Sequence, residues 1–357
     1  MSREPDGRQR VTIMDVAKRA GVSKGLVSFA LNDRPGVSPE SRTRILLAAR
    51  ELGWTPSLRA RSLSTKRSFA LGLVLGRTPE ALGADPFFPS FIAGVESVLA
   101  PEGRALVLSV VPHEEAELRT YRSLVADGRV DGVFLSDLRH NDPRIPLLVD
   151  LGLPAVTLGH PESLTPTEQN PSSRSPFPAV SIDDTRGIAE SVSYLTGLGH
   201  RRIAHVAGSS SMLHGSRRRM AFDHAARAAG LSDCQTIETD FSIGAGAAAT
   251  RRLLAQEYPP TAIVFANDPM AIAGLGVAHE RGLHIPGDLS ITGFDDINFA
   301  RYVYPPLTTV STTPSKWGRA AARTLLSLME NGSADDVDLP AARLTVRGSA
   351  GAPASAA

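Results

Sequence analysis

Gly21-Val22-Ser23-Lys24-Gly25 spells G-x-S-x-G, the spacing that carries a nucleophilic serine on a strand-to-helix turn. That chemistry needs a strand before the serine and a sheet already built to support it. Only 22 residues precede Ser23, and they read as a helix. Ser23 is better placed to cap a second helix, with its hydroxyl accepting from the backbone. Other reactive spacings fail in the same way. Gly274-Leu275-Gly276 lies inside a helical stretch rather than at a strand-to-helix turn, and no G-x-x-x-x-G-K-[ST] occurs. The nine histidines show no H-E-x-x-H spacing, His200 and His205 stand alone, and Cys234 is the only cysteine. No catalytic residue, metal site or cofactor is expected.

The elements around Ser23 explain what it is for. Ile13, Val16, Ala17 and Ala20 fall at i, i+3, i+4 and i+7, one face of a helix. Thr12 with Asp15 forms a capping box, and Gly21 suits the left-handed residue after the helix. The second helix runs to about Asn32. Val27, Ala30 and Leu31 face inward, Leu26 sits at the edge, and Lys24, Gly25, Ser28, Phe29 and Asn32 face out. A third helix starts at Ser38-Pro39, buries Ile45, Leu46, Ala49 and Leu52, and stops at Gly53. Two short helices around a Gly-containing turn make a helix-turn-helix. Residues 1–67 hold fourteen Lys and Arg against six Asp and Glu, a net of +8, while the remainder carries −7. A basic head on an acidic body points to a polyanionic partner. Pro56 to Leu63 reads either as a linker or as a helix too short to hold alone, which folds when a partner supplies a surface.

From Phe69 the rhythm changes. Short apolar runs (FALGLVLG, ALVLSVV, VDGVFLS, LPAVTLG, PAVSI, RIAHVAG, TAIVFAND, LSITGFD) alternate with helical stretches such as PSFIAGVESVLA and TRGIAESVSYLTGLG. Strand-helix alternation implies parallel α/β architecture, and so many units imply two subdomains with a cleft beyond the strands' carboxyl ends. The most apolar stretch, IPLLVDLGLPAVTLG, is broken by Asp150 and two prolines. The N-terminus has no apolar core of the signal-peptide kind, so no membrane role and a cytoplasmic location are expected.

The run from Val11 to Leu63, VTIMDVAKRAGVSKGLVSFALN through WTPSLRARSL, resembles the headpiece and hinge of the lactose-repressor (LacI-type) family of bacterial transcription regulators. The motifs DPFFPSFIAGVE, VDGVFL, GLGHRRIAHVAG, FANDPMAI, IPGDLSITGFDDI and PPLTTV are similar to the family's core, which shares its fold with periplasmic sugar-binding proteins. The resemblance implies an all-α headpiece over residues 1–56, a hinge over 57–68, and an effector-binding core of two α/β subdomains over 69–348. It implies operator DNA as partner, with contacts from Thr12, Ser23, Lys24, Gly25, Ser28, Phe29 and Asn32. Ser57 and Ala60 would follow in the hinge, and Leu63 would be the wedge that enters the minor groove. Gly25, Leu26 and Phe29 depart from the common pattern, so the operator is not named.

The effector cleft implied by the same resemblance includes Phe87, Phe88, Arg218, Phe241, Asn267 and Asp295, a set suited to a polyhydroxylated, sugar-like ligand. Asp268 belongs there or caps the following helix. Phe87 and Phe88 line the cleft or fill the core, and the inward arginine of SRRRM is known to within one position. Leu158-Gly159-His160 lacks a carboxylate common in the family, and 162–178 is a Pro/Ser-rich surface insertion. A homodimeric repressor is expected, its effector either releasing or recruiting DNA. Residues 349–357 have no heptads and read as a disordered tail.

Overall fold

The computed structural model describes residues 11–31, 35–54, 65, 67–78, 82–83, 85–162, 175–232 and 234–354. Two compact units emerge, Met1–Ser68 and Phe69–Ala357. The expectations for Asn32, Ser57, Ala60, Leu63 and most of the 162–178 insertion lie outside the described residues.

In the first unit, α1 (Ile13–Ala20), α2 (Lys24–Leu31) and α3 (Pro39–Glu51) pack around Val16, Val27 and Ile45, all fully buried. Thr12 N donates to Asp15 Oδ2 at 2.8 Å, completing the capping box, and Gly21 takes φ 66°. Leu26 N donates to Ser23 Oγ at 3.2 Å, so the serine of the G-x-S-x-G pattern begins a helix. Ser38 Oγ does the same for Ser41 N. One position differs from expectation: Leu46 is exposed, and Ala48 takes its place beside Ile45 and Ala49. At 100° per residue, Ile45 and Leu46 cannot share the narrow face of a three-helix core.

The second unit holds two six-stranded sheets. The first orders its strands β2-β1-β3-β4-β5-β11: β1 (Ala70–Gly76), β2 (Ala105–Val111), β3 (Gly132–Leu135), β4 (Ala155–Leu158), β5 (Ala179–Ile182) and β11 (Val337–Leu339). All its pairings are parallel. The second orders β7-β6-β8-β9-β10-β12: β6 (Ile203–Ala207), β7 (Gln235–Glu238), β8 (Ala262–Phe265), β9 (Ser290–Asp295), β10 (Thr308–Ser311) and β12 (Arg343–Thr345). Only β12 runs antiparallel to its neighbour, β10. β1, β3, β4, β6 and β8 are buried along nearly their whole length, as strands covered by helices on both faces must be.

The helices that cover them are α4 (Phe87–Leu99), α5 (Glu114–Ala126), α6 (Arg144–Asp150), α7 (Thr185–Gly197), α8 (Leu213–Ala228), α9 (Ile243–Leu254), α10 (Asp268–Glu280) and α11 (Pro314–Asn331). The chain passes between the sheets three times: after β5, after β10, and after β11. α11 therefore belongs to the first lobe although it follows the second in sequence. It lies hard against α4, where a Cβ on Gly94 would come 2.1 Å from Ser315 O and one on Gly318 2.2 Å from Phe91 O. The two glycines let the backbones approach. No helix among the described residues is long and apolar enough to cross a membrane.

The expected tail is a correction. Ser349 and Ala350 are buried, and Ser349 Oγ donates to Ile291 O at 2.6 Å while accepting from Thr308 N at 2.8 Å. His200 Nε2 lies 2.9 Å from Gly351 O, and Ala354 N donates to Gly287 O at 3.0 Å. Small, polar GSAGAPA looks unstructured because its own residues bury little. It is held because β9, β10 and His200 offer it hydrogen bonds.

Candidate functional site

The cleft of the second unit forms where strand ends from both sheets meet. Its space is about 750 Å³, open mouth included. On the first-lobe wall, Arg77 follows β1 and is gripped by two carboxylates. Its Nε and Nη2 donate to Asp137 at 2.7 and 2.9 Å, and its Nη1 donates to Asp85 at 2.6 Å. Asp85 also accepts from Phe87 N at 2.9 Å, closing the N-terminus of α4. Burial would lift Asp137, but the charge and paired hydrogen bonds of Arg77 outweigh it and hold that carboxyl below its usual range. At Asp85 burial wins over Arg77, and the value is raised.

On the second-lobe wall, Arg218 is the inward arginine of SRRRM. Its Nε donates to Asp184 Oδ2 and its Nη1 to Ala266 O, both at 2.9 Å, and the guanidinium stacks 3.7 Å above the Phe294 ring. Arg217 instead donates to His160 O, and Arg219 reaches Glu238 on the exposed side. Asp295 ends β9 with φ 109°, a strained backbone for a residue with a side chain. Burial pushes its carboxyl well above the ordinary value. The charge of Arg218 pulls the other way but does not offset the desolvation and the carboxylates of Asp268, Asp85 and Asp184. Among the described residues no protein group hydrogen-bonds that carboxyl.

Aromatic faces complete the cleft. Phe87 and Trp317 meet edge-to-face at 5.7 Å, and Trp317 Nε1 donates to Val180 O at 2.7 Å. Opposite them, Phe241 (φ 68°) tilts against His214 at 5.1 Å. Gly208 makes room for it: a Cβ there would lie 1.8 Å from Phe241 Cζ. Burial pushes His214 down to about 4, so it is neutral at pH 7.

Five of the six expected residues, Phe87, Arg218, Phe241, Asn267 and Asp295, line this one space. Phe88 does not and is a correction. It is 1% exposed, edge-on to Phe87 at 5.2 Å, with Arg77 5.0 Å above its ring. Adjacent helical residues diverge by 100°, so only one of the pair can face the cleft. Asn267, expected to serve the ligand with both ends, caps α10 by accepting from Met270 N at 2.9 Å and donates to Phe241 O at 3.0 Å. Asp268, expected in the cleft or as that cap, is neither. It is buried, accepting from Thr309 Oγ1 at 2.5 Å and Ile297 N at 2.9 Å, and burial pushes it up to about 7.

Arg77, Asp85, Ser136, Asp137, Asp184, His214, Thr312 and Trp317 also line the cleft and were not anticipated. A signal existed for some. Arg77 and Asp137 directly follow, and Ser136 ends, apolar runs read as strands, where ligand groups sit in such sheets. Trp317 and His214 had none, because they stand on helices whose placement depends on the chain's crossings between sheets.

In the helical unit, Lys24, Gly25 and Phe29 lie exposed along α2 and Ser28 is partly buried. Thr12 and Ser23 stand at the starts of α1 and α2 with their hydroxyls engaged at the caps.

Residues 12–57 match the family model of bacterial regulatory proteins, lacI family, and residues 192–350 match that of a periplasmic binding protein-like domain. The HTH-type transcriptional regulator CelR of Thermobifida fusca is 34% identical over 338 residues, 93% of this chain and 96% of its own length. The transcriptional repressor CytR of Escherichia coli strain K12 is 32% identical over 325 residues, covering 89% of this chain and 90% of its own. Among solved structures, a CelR–cellobiose complex superposes with a TM-score of 0.70 at 31% identity, over 95% of this chain and all of that one. The lac repressor dimer bound to operator and the anti-inducer ONPF gives 0.77 at 27% identity, over 95% and 98%. With a helix-turn-helix unit ahead of a two-sheet, periplasmic-binding-protein-like core, this chain belongs to the lacI family of bacterial regulatory proteins.

Proposed function

We propose that this protein is a sequence-specific DNA-binding repressor whose operator affinity is set by a small polyhydroxylated effector in the cleft. The observation that carries the reading is the convergence, from two separate sheets, of an arginine fork, a half-buried carboxyl with no protein hydrogen bond among the described residues, and three aromatic faces on one space. Such a site suits a sugar: hydroxyls meet Asp295 and the edges of the arginine pairs, and C–H surfaces pack on Phe87, Trp317 and Phe241. Because the two walls belong to different lobes, a ligand that touches both changes the population of lobe arrangements. The relative solved with cellobiose makes that disaccharide the first ligand to try.

Operator contact is assigned to α2, with Lys24, Gly25, Ser28 and Phe29 toward the major groove, and to the 57–63 segment with Leu63 as wedge. A phenyl ring at 29 suits a thymine methyl rather than guanine. The chain acts as a homodimer. Phe299, Tyr302 and Tyr304 are 71%, 80% and 85% exposed within one short stretch, an apolar patch of the kind a second copy covers.

Arg218→Ala tests the cleft. The variant is expected to hold operator fragments in gel shifts as the parent does, yet lose its response to effector. Unaltered ligand binding by calorimetry would remove Arg218 from the site. An unrelated line, genome-wide mapping of bound DNA, gives the half-site, its spacing, and neighbouring genes that point to the ligand.

A further inference from the structure

The lobes of the core are joined by three passages of the chain, and they also touch along one flank through residues that belong to none of those passages. His140, which follows β3 in the first lobe, stands at the centre of that contact. Its Nδ1 lies 2.5 Å from Glu162 Oε1, and Glu162 Oε2 accepts from Asn141 N at 3.3 Å, so the carboxylate is fixed to the same lobe. The other ring nitrogen, Nε2, lies 3.0 Å from Ser216 Oγ on α8, a helix of the second lobe. Leu213 N, at the start of α8, donates to Leu138 O at 2.8 Å, again from the second lobe to the first. The side chains of His140 and Glu162 are 42% and 43% exposed, so the ring exchanges protons freely with water.

The number of protons on the ring sets how well this contact is made. The Ser216 hydroxyl holds one proton, and the carbonyls of Leu213 and Met212 lie 3.2 and 3.4 Å from Oγ, placed to accept it. The hydrogen bond from His140, helped by Asn141 N, holds the Glu162 carboxyl below its ordinary value. Facing that carboxylate, Nδ1 carries a proton in either state of the ring. When the ring is neutral, Nε2 is an acceptor, and Ser216 must turn its hydroxyl proton away from its own helix. When the ring is charged, Nε2–H donates to Ser216 Oγ, whose proton goes on to Leu213 O, and every donor has an acceptor. A bond from a charged ring is also the stronger kind. Nearby charges do not reverse this. Arg139 is met by Glu117 and Glu114 at 2.7 and 3.6 Å, Asp142 by Arg144 at 2.6 Å, and the His160 ring turns to Asp338 at 3.3 Å. Arg217 donates to His160 O and opposes a second positive charge, but Glu162 is the group in direct contact with the ring.

We propose that His140 is a proton-dependent latch between the lobes, and that acidification from pH 8 to pH 6 tightens the docking of α8 on the first lobe. The docked arrangement binds the extra proton more tightly than an undocked one, so by linkage it gains as the pH falls. The latch does not depend on what the cleft binds. It sets the lobe equilibrium on which any ligand that touches both walls must act.

Hydrogen exchange at the Leu213 amide tests this in the full-length, ligand-free protein, at pH 8 and pH 6, with rates corrected for the intrinsic effect of pH. The corrected protection is expected to rise about fivefold at pH 6, the excess of a charge-assisted over a neutral hydrogen bond. His140→Gln cannot titrate and Ser216→Ala has no hydroxyl, so each should show the same protection at both pH values. Glu162→Gln should shrink the rise. The buried His205 and His214 weaken the fold in acid and would move this amide the other way. Protection that is equal at the two pH values or lower at pH 6, or a rise that survives in either His140→Gln or Ser216→Ala, overturns the latch.

Discussion

At the scale of residues, the site is built from groups taken out of water and then compensated unevenly. Arg77 gives three hydrogen bonds to two carboxylates and Arg218 two, to Asp184 and Ala266 O, whereas among the described residues no protein group hydrogen-bonds the carboxyl of Asp295, which is poised to respond to whatever enters. The histidines carry the opposite cost. His205, fully buried against Phe222 with Nδ1 2.8 Å from Val264 O, and His214 in the cleft are both pushed down to about 4 by burial. In the unfolded chain each titrates near 6.5. The unfolded state therefore binds more protons between the two values, and stability falls as the pH drops from about 6.5 toward 4. Urea titrations at pH 7 and pH 5 should show a lower midpoint at pH 5. His205→Gln should flatten that decline, and an identical slope would assign the acid sensitivity elsewhere. Part of this scale was legible beforehand: five of the six residues named from the motifs line the cleft, beside eight polar, charged and aromatic ones that were not named. Phe88 was not separable from Phe87 in the sequence, since which neighbour turns inward is decided by the angle at which α4 lies on its sheet.

At the scale of elements, the start of α8 ties the lobes together along one flank of the cleft. Leu213 N donates to Leu138 O at 2.8 Å beside an antiparallel bridge between Arg139 and Met212, and His140 Nε2 lies 3.0 Å from Ser216 Oγ. The Leu213 side chain, on a second-lobe helix, is buried in a cluster of first-lobe residues with Leu138, Ile145 and Leu148. The loop it docks on is held by a buried pair: Arg144 donates to Glu117 at 2.7 Å, to Asp142 at 2.6 and 2.9 Å, and to Asp137 O at 3.0 Å. Contact and cleft residues alternate along these segments, Asp137 beside Leu138 and Leu213 beside His214. Leu213→Ala should therefore weaken effector binding by tenfold or more by calorimetry, with a stability loss at or below the usual 2–5 kcal/mol of a leucine truncation. Unchanged effector affinity would mean that this contact is packing alone. Nothing in the local sequence announces the contact, because Leu213 reads as an ordinary apolar residue at a helix start.

At the scale of the whole molecule, the two ends of the chain divide the charge: +8 over residues 1–67 and −7 over the rest. A basic unit that neutralises about six phosphates should lose roughly 10³-fold in operator affinity between 50 and 200 mM salt. Gel shifts across that range measure the slope, and a flat profile would argue against a phosphate-led interface. The acidic remainder gives the core no comparable net attraction for a polyanion.

Local rules determined the helix-turn-helix outright. Caps, turn glycine and apolar spacing act within a few residues, so Thr12, Gly21, Ser23 and Ser38 place α1 to α3 without reference to anything distant. Periodicity likewise determined that the rest is alternating strand and helix. Only the tertiary structure decided that α11 returns to the first lobe and carries Trp317 into the cleft, that Asn267 rather than Asp268 caps α10, and that residues 349–354 are packed. Each of those depends on partners tens to hundreds of residues away, and a side chain's direction there is fixed by what it packs against rather than by its neighbours in the chain.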